Sequence, residues 1–402
     1  MAVSPRNLNV TVPIPALGMR NTRAKGRYPL GALDVAQNAD ILPDGGAHKT
    51  GYEIRDGFTQ VRSFTNATTA YTTSDGKRMF VIEDGNLREI FWDLTSATLA
   101  TGMGSGYYSF EEVGPQILIL GENSQLVRGS EAFPFFIPQP QVPSVDIVSG
   151  DLPSGEYAFA TCLVDSLGRR GPLSTVATVV LPDNSGISAE FPAVSGYETL
   201  FFVTTTNGEV LYELERTAST SVVFLNDLTR LVTPVSEEQV GSTNISNFGK
   251  TNYHDGQLWV CVYEPSQDVT YLFYSYSFWL NLFNPVAMYI AVQGEVNSLD
   301  SVDRAMIIST DREILAYQDN SLQTLADYGT VPGSPTSRDY GSDTLYLWTT
   351  RGVCKALPFV NLTEEKVSLP PGSVASTSFL DVKGTKRFLI MTDTLGNSFN
   401  KY

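Results

Sequence analysis

The chain has 402 residues, enough to bury large cores and to form more than one domain. Only 17% of it is charged and Thr, Val, Tyr, Phe, Gly and Pro are plentiful, which suits strands and turns. A formal charge of −16 argues against a body that grips nucleic acid, and the odd, scattered Cys162, Cys261 and Cys354 argue against a disulfide framework. Buried free thiols fit folding in a reducing cytoplasm.

The first 27 residues contain Arg6, Arg20, Arg23, Lys25 and Arg27 and no acid, whereas the rest has 22 bases against 43 acids. This basic, proline-broken stretch reads as an extended N-terminal arm, 1–45, that docks on another surface; unbound it would be a solvated terminus. "LNVTVPIPALGM" is broken by two prolines and lacks a strongly charged start, so no secretory signal is expected.

Hairpins follow. "DGKRMFVIEDGNLREI" from Asp75 sets two apolar runs around the tight turn Asp84-Gly85, and the same template starts again at Gly114, Asp255, Val302, Gly341 and Gly384. Neighbouring starts are separated by 39 (75 to 114), 47 (255 to 302), 39 (302 to 341) and 43 (341 to 384) residues. A strand repeat of roughly 40–50 residues is the period of propeller blades. The fold expected is all-β: a β-propeller of about six blades, built from two stretches of chain, 46–140 and 241–402. Closure should make "GYEIRDGFTQVRSF" a neighbour of "FLIMTDTLGNSF".

The interval from 114 to 255 is a hundred residues longer than one blade. It opens with the proline-rich "FPFFIPQPQVPSV" and continues with short alternating strands and a turn at Asn207-Gly208. Residues 141–240 therefore read as an inserted β-sandwich. The uncharged stretch Val269–Gly294 is long enough to span a bilayer, but its Pro285, Asn281, Asn284 and many aromatics favour strands, so no membrane-spanning segment is expected.

Motifs for chemistry are weak. The two histidines, His48 and His254, stand beside turn residues without metal-ligand spacing. "NFGKTN" ends like a phosphate loop but should lead into a strand, and "GMGSG" at 102–106 opens no helix. The carboxylate pairs Glu83/Asp84, Glu111/Glu112 and Asp311/Glu313 read mostly as solvated turn residues, because adjacent acids on a strand face opposite ways. No catalytic residue, metal or cofactor is expected, and the chain is not expected to be an enzyme. Trp259, Tyr274, Tyr276, Trp279 and Trp348 could stack on sugars, but as strand residues they are more often core.

Residues 18–61 resemble the start of many tailed-bacteriophage tail proteins of the β-propeller nozzle or tail-tip type. Asn21, Gly31, Leu33, Ala36, Asn38, Asp40, Ile41 and Gly51 match that pattern, while Pro29-Leu30 inverts its Leu-Pro and "AHKTG" replaces its arginines. "GEYAFATCLVDSLGRRGPLS" and "TTTNGEVLYEL" resemble the fibronectin- or Ig-like module inside the same proteins. The resemblance implies a virion structural protein, made in the host cytoplasm, that forms a nozzle-like homohexameric ring. Its partners would be copies of itself, a tail adaptor or other tail proteins, and genomic DNA in transit; the five basic arm residues would contact neighbouring subunits. The alternative is a tail-tip module that binds a host-surface glycan or protein.

Overall fold

The computed structural model describes residues 39–42, 51–54, 62–225, 231–339, 341–364, 370–382 and 385–393. Every regular element among them is a strand. They fall into two compact units: one is Phe64–Met306, the other the described residues of Met1–Ser63 and Ile307–Tyr402.

An antiparallel pair, β1 (Ala39–Leu42) and β2 (Gly51–Ile54), comes first. Two four-stranded meanders follow: β3 (Ala67–Thr72), β4 (Met79–Glu83), β5 (Asn86–Ile90) and β6 (Ser96–Thr101), then β7 (Ser109–Val113), β8 (Gln116–Leu120), β9 (Gln125–Arg128) and β10 (Glu131–Pro134). Each sheet has its strands in chain order, the up-and-down pattern of a propeller blade. The tight turns form where expected. Asp84 and Gly85 have φ of 49° and 67°, and Asp255 and Gly256 have 50° and 79°, the two positive values that a type I′ hairpin turn demands.

The second strand of each meander is buried on both faces, and this explains its unbroken apolar run. Along β8, Ile117 and Ile119 join Phe80, Ile82 and Leu87 in one cluster. The intervening Leu118 and Leu120 join Leu258, Val260 and Phe283 in another. A period of two thus feeds two cores from one strand.

The next strands are β11 (Ser144–Leu152), β12 (Gly155–Val164), β13 (Arg170–Leu173), β14 (Ala177–Leu181), β15 (Ser185–Glu190), β16 (Glu198–Thr204), β17 (Leu211–Thr217) and β18 (Ser221–Phe224). They make two sheets: β11-β15-β18, and β13-β12-β16-β17 with β14 also on β12. Tyr157, Phe159, Phe201 and Val203 of the larger sheet share one cluster with Ile187, Ala189, Val222 and Phe224 of the smaller. The opposite face of β12 and β16 is covered too, because Ala160, Cys162, Val164 and Phe202 form a second cluster with Val235 against it. Among the described pairings none of these strands joins a meander sheet.

A third meander holds β19 (Thr251–His254), β20 (Gln257–Glu264), β21 (Val269–Tyr276), β22 (Trp279–Phe283) and β23 (Tyr289–Gln293), with β22 and β23 both on β21. The uncharged stretch is thus three strands, and no helix among the described residues is long and apolar enough to cross a membrane. The sheet β24 (Val296–Val302), β25 (Ala305–Thr310), β26 (Ile314–Gln318) and β27 (Ser321–Ala326) follows, and the division between the units falls inside β25.

In the second unit β28 (Gly333–Ser334) precedes a further meander of β29 (Thr336–Asp339), β30 (Thr344–Thr349), β31 (Gly352–Lys355) and β32 (Val360–Asn361). The last pair is β33 (Ala375–Val382) and β34 (Thr385–Thr392). The apolar run after Gly384 is β34, which follows its partner β33 as β4 follows β3, and β28 joins the described sheet by parallel pairing with β33. Gly333 allows this approach: a Cβ there would lie 2.3 Å from the Ala375 carbonyl oxygen, and its φ is 113°. Of the two segments expected to meet at closure, the described parts include β2, which pairs β1, and β34, which pairs β33; residues 55–61 and 394–399 lie outside the described residues.

Candidate functional site

A polar network runs along the first strands of the sheets within residues 64–306. Tyr71 of β3 stacks on Phe110 of β7 at 5.0 Å, and β19 lies against both β7 and β24. Polar side chains bridge each step. Glu112 accepts from the Tyr71 hydroxyl (2.5 Å), the Ser74 N–H (2.5 Å) and the Ser74 hydroxyl (2.7 Å). Its neighbour Glu111 turns the other way, to β19, where its oxygens meet the Thr251 hydroxyl at 3.2 Å and the Tyr253 N–H at 3.1 Å.

From β19 to β24 the Asn252 amide donates to the Leu299 carbonyl (3.3 Å), and the Ser301 hydroxyl donates to Asn252 Oδ1 (2.6 Å). Ser301 also lies 2.9 Å from His254 Nδ1. Burial lowers the pKa of His254 against a smaller upward pull from Asp255. Glu111 is pushed up to about 8, first by removal from water, with Asp300 and Glu112 adding repulsion and the Tyr253 N–H and Thr251 hydroxyl opposing it. Near neutrality this carboxyl keeps its proton, which suits a seam between strands and removes one charge from it.

Glu111 and Glu112 are therefore strand residues with specific partners, where solvated turn residues were expected. The expectation that they face opposite ways holds, and no signal in "SFEEV" marks the two strands they would meet. Glu83 is buried and accepts from the Thr65 N–H at 2.8 Å, while Asp84 sits in the exposed turn bonded to Asn66. Asp311 is exposed beside Arg312. Among the described residues no group of three or more His, Cys, Asp or Glu is placed to hold a metal ion.

Gly249-Lys250 leads into strand β19, and Lys250 Nζ lies 3.9 Å from the centre of the Tyr107 ring. The three cysteines are buried free thiols; burial pushes Cys162 up to about 12 and raises Cys261 and Cys354. Trp259 and Trp348 are core residues, and the Trp348 indole donates to the Pro371 carbonyl at 2.9 Å. Trp279 alone of the three tryptophans singled out is partly exposed. Arg6, Arg20, Arg23, Lys25, Arg27 and His48 lie outside the described residues.

No protein-family model and no curated protein matches the chain. Similar solved structures include a functionally unknown protein from Desulfotomaculum acetoxidans (10% identity, TM-score 0.32, covering 83% of this chain and 92% of that one). Kluyveromyces lactis Hsv2 (9%, 0.33, 81% and 89%) is another. A third is a catalytically inactive virginiamycin B lyase from Staphylococcus aureus (8%, 0.23, 74% and 96%). At these scores the likeness carries no argument about site or function.

Proposed function

We propose that this chain is a structural protein of a bacteriophage tail: a propeller of about six blades whose copies form a ring that closes the tail and lets DNA out. On this reading the two facing sheets of 144–224 are a fibronectin- or Ig-like insert that touches neighbouring subunits, and the arm ties the ring together. The observation that carries the reading is the run of first strands β3, β7, β19 and β24, laid side by side. First strands of blades line the axis of a propeller. A chain of net charge −16 suits a ring whose lumen DNA must pass without sticking.

Mass spectrometry and cryo-electron microscopy of purified virions test the proposal. The expected result is this chain as a ring at the end of the tail, its inner face net negative. A chain missing from virions, or a ring lined mainly by Lys and Arg, overturns it.

A further inference from the structure

A cleft of about 280 Å3 lies in Phe64–Met306 where three segments converge: β8 and β9, the Arg169–Arg170 corner of the two-sheet insert, and the β21–β22 hairpin. Its walls include Gln116, Arg169, Arg170, Phe278, Trp279 and Asn281. Both cations are already paired. Arg169 donates to Asp165 Oδ2 (2.8 Å) and to the carbonyls of Phe135 (3.0 Å) and Pro134 (2.6 Å), and Arg170 donates to Glu213 Oε1 at 2.5 Å. The Asn281 amide, buried, fixes the corner by donating to the Arg170 carbonyl at 2.9 Å. An anion entering here would find no uncompensated positive charge, so the cleft suits a neutral ligand that hydrogen-bonds.

Phe278 adds an independent observation. It is 84% exposed, and its φ of 66° lies in the left-handed region, which bulky side chains avoid. Its N–H donates to the Gly256 carbonyl at 2.9 Å, so the turn is held in that conformation. An aromatic ring that contributes nothing to the core, in a disfavoured backbone state at the wall of a cleft, marks a contact with something outside the chain. The volume is just below the roughly 300–1,000 Å3 of pockets for drug-sized ligands, which leaves room for one ring.

We propose that this cleft binds one pyranose ring of a neutral carbohydrate. Phe278 and Trp279 supply apolar surface for the C–H face of the sugar, while Gln116, Asn281 and Arg170 offer polar groups to its hydroxyls. The site does not depend on the tail-ring proposal, since a ring subunit and a free binder could each carry it.

Calorimetric titration of the full-length protein with methyl glycosides of glucose, galactose, mannose and N-acetylglucosamine, and with sialic acid as an anionic comparison, provides the test. One neutral glycoside is expected to bind once per chain, and Trp279→Ala to weaken it about tenfold. Phe278→Gly serves where the tryptophan variant folds poorly. Glycine is at ease at this φ, so the variant should melt no lower than the wild type and still lose about tenfold in affinity, which a merely structural role would not produce. Three results overturn the site: no binding of any neutral glycoside up to about 10 mM, binding of sialic acid alone, or neutral binding that Phe278→Gly leaves unchanged. None of them bears on whether the chain forms a ring.

Discussion

At Glu111 the seam between β7 and β19 contains a carboxyl that is more stable with its proton than without. Its ordinary pKa is 4.5 and the folded value is about 8, so the sign of the linkage is fixed. Below pH 4.5 the group is protonated in both states. Between 4.5 and 8 the unfolded chain loses the proton while the folded chain keeps it, and stability falls as pH rises. Above 8 the loss is complete, on the order of a few kcal/mol. Glu111→Gln should remove that slope, because an uncharged amide can donate to the Thr251 hydroxyl and accept from the Tyr253 N–H. The variant is expected to match the wild type near pH 4.5 and to be the more stable by about 1–3 kcal/mol at pH 8, as read by denaturant melts across that range. Parallel pH profiles for the two proteins would show that the carboxyl is not held neutral.

Single strands carry the next level of the design. Because Ile119 and Leu118 of β8 point into different clusters, each change to Ala should cost about 2–5 kcal/mol but couple to different partners. A double-mutant cycle should find about 0.5–3 kcal/mol of coupling for Ile119 with Phe80 and little for Ile119 with Leu258. Equal coupling to both would mean that β8 does not divide its faces as described. The run "QILIL" and the Asp-Gly turns were legible in the sequence because period-two burial and positive φ are local demands. The parallel β28–β33 contact was not: it joins residues 42 apart, Gly333 with Ala375, and nothing near either reports it. The cleft was illegible for the same reason, since Gln116, Arg170 and Trp279 come together only through the tertiary fold. Trp279 could be named among the candidate aromatics, but not separated from the buried Trp259 and Trp348.

For the molecule as a whole, the strands of 144–224 pair only among themselves in the described sheets and share a core of their own. Deleting residues 143–235 and joining the ends should therefore leave folded meander sheets, although the Phe135 and Pro134 carbonyls and the Asn281 amide would lose their partners at Arg169 and Arg170. Circular dichroism and a cooperative melt of the deletion variant check this, and an unfolded product would mean that the insert is integral to its unit.

If the chain is the ring-forming tail protein proposed above, its arm should decide assembly. Its Val10, Val12, Ile14, Leu17 and Met19 are too few and too interrupted by proline to bury a core of their own. A segment of that kind gains most by adding to the sheet edge of another subunit, where backbone hydrogen bonds give affinity and alternate side chains give register. The bases Arg6, Arg20, Arg23, Lys25 and Arg27 would be steered toward an acidic neighbour, since the rest of each copy carries 22 bases against 43 acids. Exposed charge pairs contribute only about 0–1 kcal/mol each, so apolar and backbone contacts must supply most of the binding. Replacing the five bases by Gln should then slow association and reduce its salt dependence, whereas removing residues 1–27 should abolish assembly and leave a folded monomer. Light scattering of the purified proteins and infectivity of phage carrying each variant distinguish the two outcomes. Normal particles from the truncated chain would show that the arm is no more than a solvated end.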